Sequence, residues 1–301
     1  MILDSQAWQS LLDVHVCEIS SRLAPVNGEA MRDEAWWANE LRSALGSALR
    51  QVMCATPSRP CERCRFKDEC GFLRIWQPTR GDGERGPEYR TPSWILECLR
   101  RPDSLDVTIR LFGPAVSAAW QWRVALELAA ARGLGRARQR LRALEELRQA
   151  QPRRLTELCP PQPPEGQSLV VDLVSPLRLV HGGEAVSAAP PFPLLVKAVE
   201  RRARLAILAW LGVAVEPIAP ARLALARVVG IVADSTQLVR LRRYSARQAQ
   251  SMALAGIVGS IEYSTGWEVF WPLLRLAPLL HVGKGATLGF GRVAFGQGRT
   301  A

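Results

Sequence analysis

Near the middle of the chain, Cys159-Pro-Pro-Gln-Pro-Pro-Glu-Gly166 holds four prolines in eight residues. Proline lacks a backbone N–H and fixes φ near −65°, so this run can continue neither a helix nor an interior strand. It divides the 301-residue chain into two pieces, each of ordinary domain size at about 150 residues. Hydrophobic residues make up 48% of the sequence, enough for each piece to bury its own core. The expected boundaries are 1–158 and 167–301.

Each piece alternates strand and helix. In the first, Leu11 to Leu23 reads as a strand. Trp36 to Val52 reads as a helix, with Trp37, Leu41, Leu45, Ala48, Leu49 and Val52 at helical spacing. Residues 79–92 read as a loop, Asp106 to Phe112 as a strand and Ala118 to Arg132 as a helix. Arg136 to Leu147 fits a strand or a helix. In the second piece, Ser168 to Ser175 reads as an apolar strand. Pro190 to Leu211 reads as a helix with Phe192, Leu195, Val199, Leu205 and Leu208 inward. Thr236 to Arg243 and Ile261 to Phe270 read as strands, Met252 to Ser260 leads into the latter, Trp271 to Leu280 reads as helical, and Arg292 to Phe295 as a closing strand. That order fits a split βαβ unit written twice. The fold class expected is α+β, two tandem ferredoxin-like (RRM-like) domains, the first carrying a cysteine-rich insertion at 54–70.

Charge points to the partner. The formal net charge is +11, and lysine occurs only at Lys67, Lys197 and Lys284, so arginine supplies nearly all of the positive charge. Arginine grips phosphates with a planar fork and stacks on bases, which favours nucleic acid. No stretch approaches the ~20 apolar residues of a spanning helix, and Met-Ile-Leu-Asp-Ser-Gln lacks a basic region followed by an apolar run. A cytoplasmic protein with reduced cysteines and no membrane partner is expected.

The densest motif is His281-Val-Gly-Lys-Gly-Ala-Thr-Leu-Gly-Phe-Gly-Arg292. Gly283, Gly285, Gly289 and Gly291 permit positive φ and close backbone approach. With Lys284 and Arg292, such a turn offers N–H groups and positive charge to a phosphate backbone. A shorter version, Gly133-Leu-Gly135-Arg136, ends the first piece, in keeping with two related domains. Cys54, Cys61, Cys64 and Cys70 crowd one segment, and Cys61-Glu-Arg-Cys64 is a knuckle spacing. Four thiolates suit a structural zinc, although only one CxxC is present; reduced cysteines without metal are the alternative. Trp76 and Trp94 flank the basic loop of residues 79–92 and are candidates to stack on a base.

The glycine-rich segment resembles the C-terminal loop of the CRISPR-associated repeat-processing endoribonucleases of the RAMP superfamily. Ser175-Pro-Leu-Arg178, Arg201-Arg202, Arg243-Tyr244-Ser245 with Arg247-Gln248, Leu41-Arg42-Ser-Ala-Leu45-Gly46, and the cysteine cluster followed by Gly71-Phe72 extend the resemblance over most of the chain. It implies a metal-independent ribonuclease with two RRM-like domains. Such an enzyme cuts precursor CRISPR RNA within each repeat, leaves a 2′,3′-cyclic phosphate and a 5′-hydroxyl, and in many cases stays on the mature crRNA within a multi-subunit effector complex.

Cleavage by a 2′-hydroxyl needs a base, a cation or N–H set for the phosphorane, and an acid for the leaving 5′-oxygen. Histidine suits proton transfer near neutral pH, and the chain has His15, His181 and His281. His281 directly precedes the glycine loop and is either catalytic or a cap on the preceding helix. His15 lies in the first strand, on a face that the alternation leaves open, and is a second candidate. His181 reads as a turn residue. Tyr244, beside Arg242 and Arg243, is a candidate helper. The family's catalytic histidine lies near the first helix in many members, and residues 24–50 contain none. Lys284, Arg292 and the four loop glycines are expected to contact RNA, with Arg42, Arg201, Arg202 and Arg243 along a groove. A guide-holding subunit with cleavage lost is the alternative. A zinc-stabilised DNA-binding protein is a further one, without a helix-turn-helix pattern to support it.

Overall fold

The computed structural model describes residues 6–32, 36–57, 60–76, 79–83, 86–89, 91–135, 137–245 and 250–297. Two compact units emerge: residues 14–153, and residues 154–301 together with 1–13.

The first unit is built from β1 (His15–Pro25), α2 (Trp37–Met53), α3 (Gly71–Trp76), β2 (Trp94–Arg100), β3 (Leu105–Phe112), α4 (Ala119–Arg132) and β4 (Leu141–Ala143). The strands form an antiparallel sheet in the order β2-β3-β1-β4. With helices α2 and α4 as crossovers, this is the βαββαβ pattern expected. The alternation along β1 and β3 explains the burial. Cys17, Ile19 and Leu23 face the core with Leu105, Val107, Ile109 and Leu111. Their neighbours Glu18, Arg22, Asp106 and Arg110 carry the ion pairs of the other face. Trp94 stacks on Trp76 with ring centroids 4.6 Å apart and meets Trp122 at 4.9 Å. Trp76 and Trp94 are both buried, so the expected base-stacking role gives way to core packing. Gly46 on α2 has no room for a side chain because the Trp76 ring lies against it.

The second unit contains α1 (Gln6–Leu12), β5 (Leu169–Leu177), α5 (Phe192–Leu211), α6 (Pro220–Ala224), β6 (Ile231–Asp234), β7 (Gln237–Ser245), β8 (Gln250–Tyr263), α7 (Trp271–Leu274), α8 (Ala277–Leu280) and β9 (Val293–Gln297). β6 and β7 both pair with β8, β8 with β5, and β5 with β9, all antiparallel. Taking β6 and β7 as one interrupted edge, the order repeats that of the first unit. Phe192 packs edge-on against Tyr263 and Phe270, and the buried Tyr263 hydroxyl donates to Pro190 O at 2.6 Å.

Several local expectations change. The segment from Leu11 is not strand from its start: residues 6–12 form α1, whose buried Trp8, Leu11 and Leu12 pack within the second unit against α5. Residues 79–83 and 86–89 pair as a hairpin instead of a loop. The two segments expected across 252–270 merge only as far as Tyr263, as one long strand, β8, with an irregularity between Ile257 and Gly259; beyond it Glu268–Phe270 is a 3-10 turn instead of strand. Leu205 is 40% exposed on α5, outside the inward stripe assigned to it. No helix among the described residues is long and apolar enough to cross a membrane.

Candidate RNA-binding loop

The glycine-rich segment joins α8 to β9 and lies against the end of β5. All four of its glycines take positive φ: Gly283 at 80°, Gly285 at 93°, Gly289 at 80° and Gly291 at 75°. At two of them the close approach is as binding as the dihedral. A Cβ on Gly291 would collide with the Val282 carbonyl, and one on Gly283 with the Arg178 carbonyl. Those collisions mark where the loop folds back on itself and where it presses on β5.

Hydrogen bonds follow the same lines. Val282 N donates to Gly291 O at 2.7 Å and Gly291 N to Pro176 O at 3.0 Å. Lys284 N donates to Arg178 O at 2.9 Å, and Leu288 N and Phe290 N both donate to Gly285 O. Arg292 N donates to Ser175 Oγ at 2.9 Å. The loop is therefore less bare than its composition suggests, because most of its N–H groups fix its own shape. Among the described residues of the loop, Gly283 N has no protein acceptor, and neither do the N–H groups of Gly285, Ala286 and Thr287. The latter three are successive donors flanked by the exposed Lys284, and Arg292 is exposed at the loop's far end. Fixed donors beside cations form a concavity suited to an anion.

His281 sits inside this construction. It is 1% exposed, and its Nδ1 lies 2.8 Å from Phe290 O. Its backbone takes φ 58° and ψ 152° as it ends α8, with its N–H on Ala277 O at 3.0 Å. That conformation strains any residue with a side chain, and the ring contact to Phe290 across the loop holds it in place. Of the two readings open in the sequence, the geometry matches the helix cap: the ring staples the loop and presents no face to solvent. Phe290, fully buried, fills the loop from within against Gly285. Phe290 and Ser175, both within the motifs that carry the resemblance, are structural partners of the loop that residue type alone does not reveal.

The other candidates separate. His15 opens β1 with the same parity as Cys17 and Ile19 and is exposed. Arg42 is half-buried, its guanidinium 5.1 Å from the Trp76 ring and 5.9 Å from the Trp94 ring, which places it in the first unit's aromatic cluster instead of along a groove. Arg202 reaches from α5 to donate Nε to Leu280 O at 2.9 Å. Burial pushes its guanidinium down to about 10, and it braces the start of the loop. Its neighbour Arg201 is exposed, on a cavity wall described below. Tyr244 and Arg243 occupy β7, paired with Ser251 and Met252, but their side chains, like residues 246–249 and Arg136, fall outside the described residues. Arg138, Arg140 and Arg142 are exposed after the first glycine turn.

The cysteine segment distributes its four thiols over short elements. Cys54 caps the C-terminus of α2, Cys61 and Cys64 span a single 3-10 turn, and Cys70 precedes α3. None of the four is in a disulfide, and among the described residues no three His, Cys, Asp or Glu side chains converge to hold a metal.

Comparison with known proteins bears on the whole chain. Residues 171–293 match the family model described as CRISPR-associated endoribonuclease Cas6, and residues 23–162 match a model described as an N-terminal domain. No curated protein sequence matches. Among solved structures, a Cas6 product complex superposes with a TM-score of 0.53 at 17% identity, covering 94% of this chain and 99% of that one. Cas6 of Thermus thermophilus gives 0.52 at 13% identity, covering 94% and 98%. A partial Cas6-RT-Cas1–Cas2 complex gives 0.53 at 12% identity, covering 98% of this chain and 47% of that one. These likenesses establish a shared fold, and the model match falls on the unit that carries the glycine loop. Residues 171–293, the part of the chain that carries the glycine loop, thus match the CRISPR-associated endoribonuclease Cas6 family.

Proposed function

We propose that this chain binds the hairpin of a CRISPR repeat and cuts precursor CRISPR RNA without a catalytic metal. The observation that carries the reading is the loop at 281–292, where four positive-φ glycines shape three successive free N–H groups beside Lys284. In this reading the scissile phosphate lies on those donors. The 2′-oxygen attacks phosphorus, the bond to the 5′-oxygen breaks, and the proton lost from the 2′-hydroxyl is balanced by one delivered to the leaving oxygen. The products are a 2′,3′-cyclic phosphate and a 5′-hydroxyl. Lys284 and the loop N–H groups stabilise the charge that builds on the phosphorane. His15, an exposed imidazole, is assigned to proton transfer. Arg292 would follow the backbone of an A-form stem, read by shape. The mature crRNA stays bound, and the protein enters a complex with other CRISPR subunits.

The test is incubation with a labelled repeat RNA in EDTA. Site-specific cleavage with a cyclic end is expected, and His15→Ala should slow it by about 100-fold or more while affinity persists. Unchanged cleavage in that variant would remove His15 from the chemistry. A second reading is a guide-holding subunit that no longer cuts. The burial of His281 and the lack of histidine in residues 24–50 favour it. It predicts tight binding with intact repeat RNA recovered.

A further inference from the structure

On the outer flank of α5, a cavity of about 420 Å³ opens between the helix and the segment that follows it. Its floor and far wall are aliphatic: Leu205, Leu208, Val215, Pro217, Ile218 and Leu223. The far wall belongs to residues 212–219, which have no regular structure, and two contacts tie it to α5. Arg204 Nε donates to Val215 O at 2.7 Å, and Ile218 N donates to Glu200 Oε1 at 3.2 Å. Glu200 and Arg204 also face each other at 3.5 Å, so the one carboxylate in the lining is already engaged. Lys197 and Arg201 stand exposed on the rim. Apolar exposure continues along the chain from the far wall, with Leu225 at 53% and Val228 at 75% exposed.

An apolar trough with a basic rim selects its occupant by chemistry. A nucleobase would want an aromatic wall to stack on, and the lining has none. A single-stranded backbone would want cations along the floor, where this groove has leucine, valine and proline. Leucine-like anchors on one side of a helix, flanked by Asp or Glu, satisfy both the floor and the rim, which is the helix-in-groove mode of recognition. α5 already takes one apolar helix of this chain, α1, whose Trp8, Leu11 and Leu12 are buried within the same unit.

We propose that the groove between α5 and residues 212–223 docks an acidic amphipathic helix from a partner protein. Arg201 then serves protein recognition instead of RNA. The proposal stands apart from the cleavage reading, because neither its residues nor its test depends on the glycine loop.

The probe is a labelled synthetic helix with leucines at i, i+3, i+4 and i+7 and glutamates between them, titrated into the full-length protein. Saturable binding is expected, weakened about ten-fold or more by Leu205→Glu, with repeat-RNA affinity unchanged in that variant. A lysine-for-glutamate version of the helix should bind more weakly, because the rim is basic. Absence of binding, or binding indifferent to Leu205→Glu, overturns the proposal. Displacement of the helix by repeat RNA would assign the groove to RNA and overturn it as well. So would concentration-dependent self-association that Leu205→Glu abolishes, since the occupant would then be a second copy of the chain.

Discussion

Replacing Gly291 with alanine tests whether the loop is held by its backbone alone. Gly291 lies at φ 75°, where an L-residue costs about 1 kcal/mol or somewhat more. The new methyl would also sit against the Val282 carbonyl, too close to be tolerated. Relief requires 282 and 291 to separate, which strains two backbone hydrogen bonds, Val282 N to Gly291 O and Gly291 N to Pro176 O. Each is worth about 1 kcal/mol net, so the full cost comes to about 3 kcal/mol. Gly182 is the control: it belongs to the same unit, has φ 60°, and nothing lies within 4 Å of an added Cβ. Gly182→Ala should therefore cost only the dihedral term, about 1 kcal/mol. In a domain of this size 1 kcal/mol moves the melting temperature by about 2–4 °C, so calorimetry separates the two variants. If the loop opens locally instead of loosening the whole unit, the melting temperature moves less and repeat-RNA affinity falls. Gly291→Ala behaving like Gly182→Ala in both stability and RNA affinity would refute the reasoning.

Burial pushes the Tyr263 phenol well above its usual range, with Asp234 adding to the effect. A raised folded-state pKa gives stability that is complete below about pH 10 and is lost as pH rises toward the folded value. Tyr263→Phe should cost about 1 kcal/mol near neutrality through the lost bond to Pro190 and should flatten the fall in melting temperature above pH 10; an unchanged slope would show that the phenol is not what titrates. Arg42→Met keeps the stem beside Trp76 and removes the guanidinium, so unfolding titrations should show a loss of about 0.5–2 kcal/mol with repeat-RNA affinity intact; a loss of affinity at unchanged stability would return Arg42 to the RNA surface. The thiols as placed predict no stoichiometric zinc in purified protein, and elemental analysis finding about one zinc per chain would mean that residues 54–70 rearrange around a metal.

The tandem fold was legible because its signals are local. Period-2 alternation in Asp106 to Phe112 and helical spacing in Trp37 to Val52 each state which side faces a core. The prolyl run at 159–166 needs no partner to break regular structure. The loop glycines were legible for the same reason, since a demand for positive φ is written in the residue type. Features that depend on what folds over a residue were not. Nothing in the sequence says that Phe290 O would lie 2.8 Å from the His281 ring, or that Trp76 and Trp94 would stack on each other and leave no face for a base. The start of β1 failed for another reason. Leu11 and Leu12 are apolar whether they close a helix or open a strand, and only the turn at Asp13 separates the two. Leu205 shows the limit of periodicity itself. It lies six positions after Val199, about 1.7 turns on, so its side chain points about a third of a turn away from the inward stripe, and hydrophobicity alone put it in a core that geometry turns away. That one misplaced leucine is informative, because an apolar residue left outside the core on a helix is where a second binding surface can begin. The glycine loop and the α5 groove thus differ in kind. The first is read from residues whose type dictates the backbone, and the second only from where the fold leaves an aliphatic side chain uncovered.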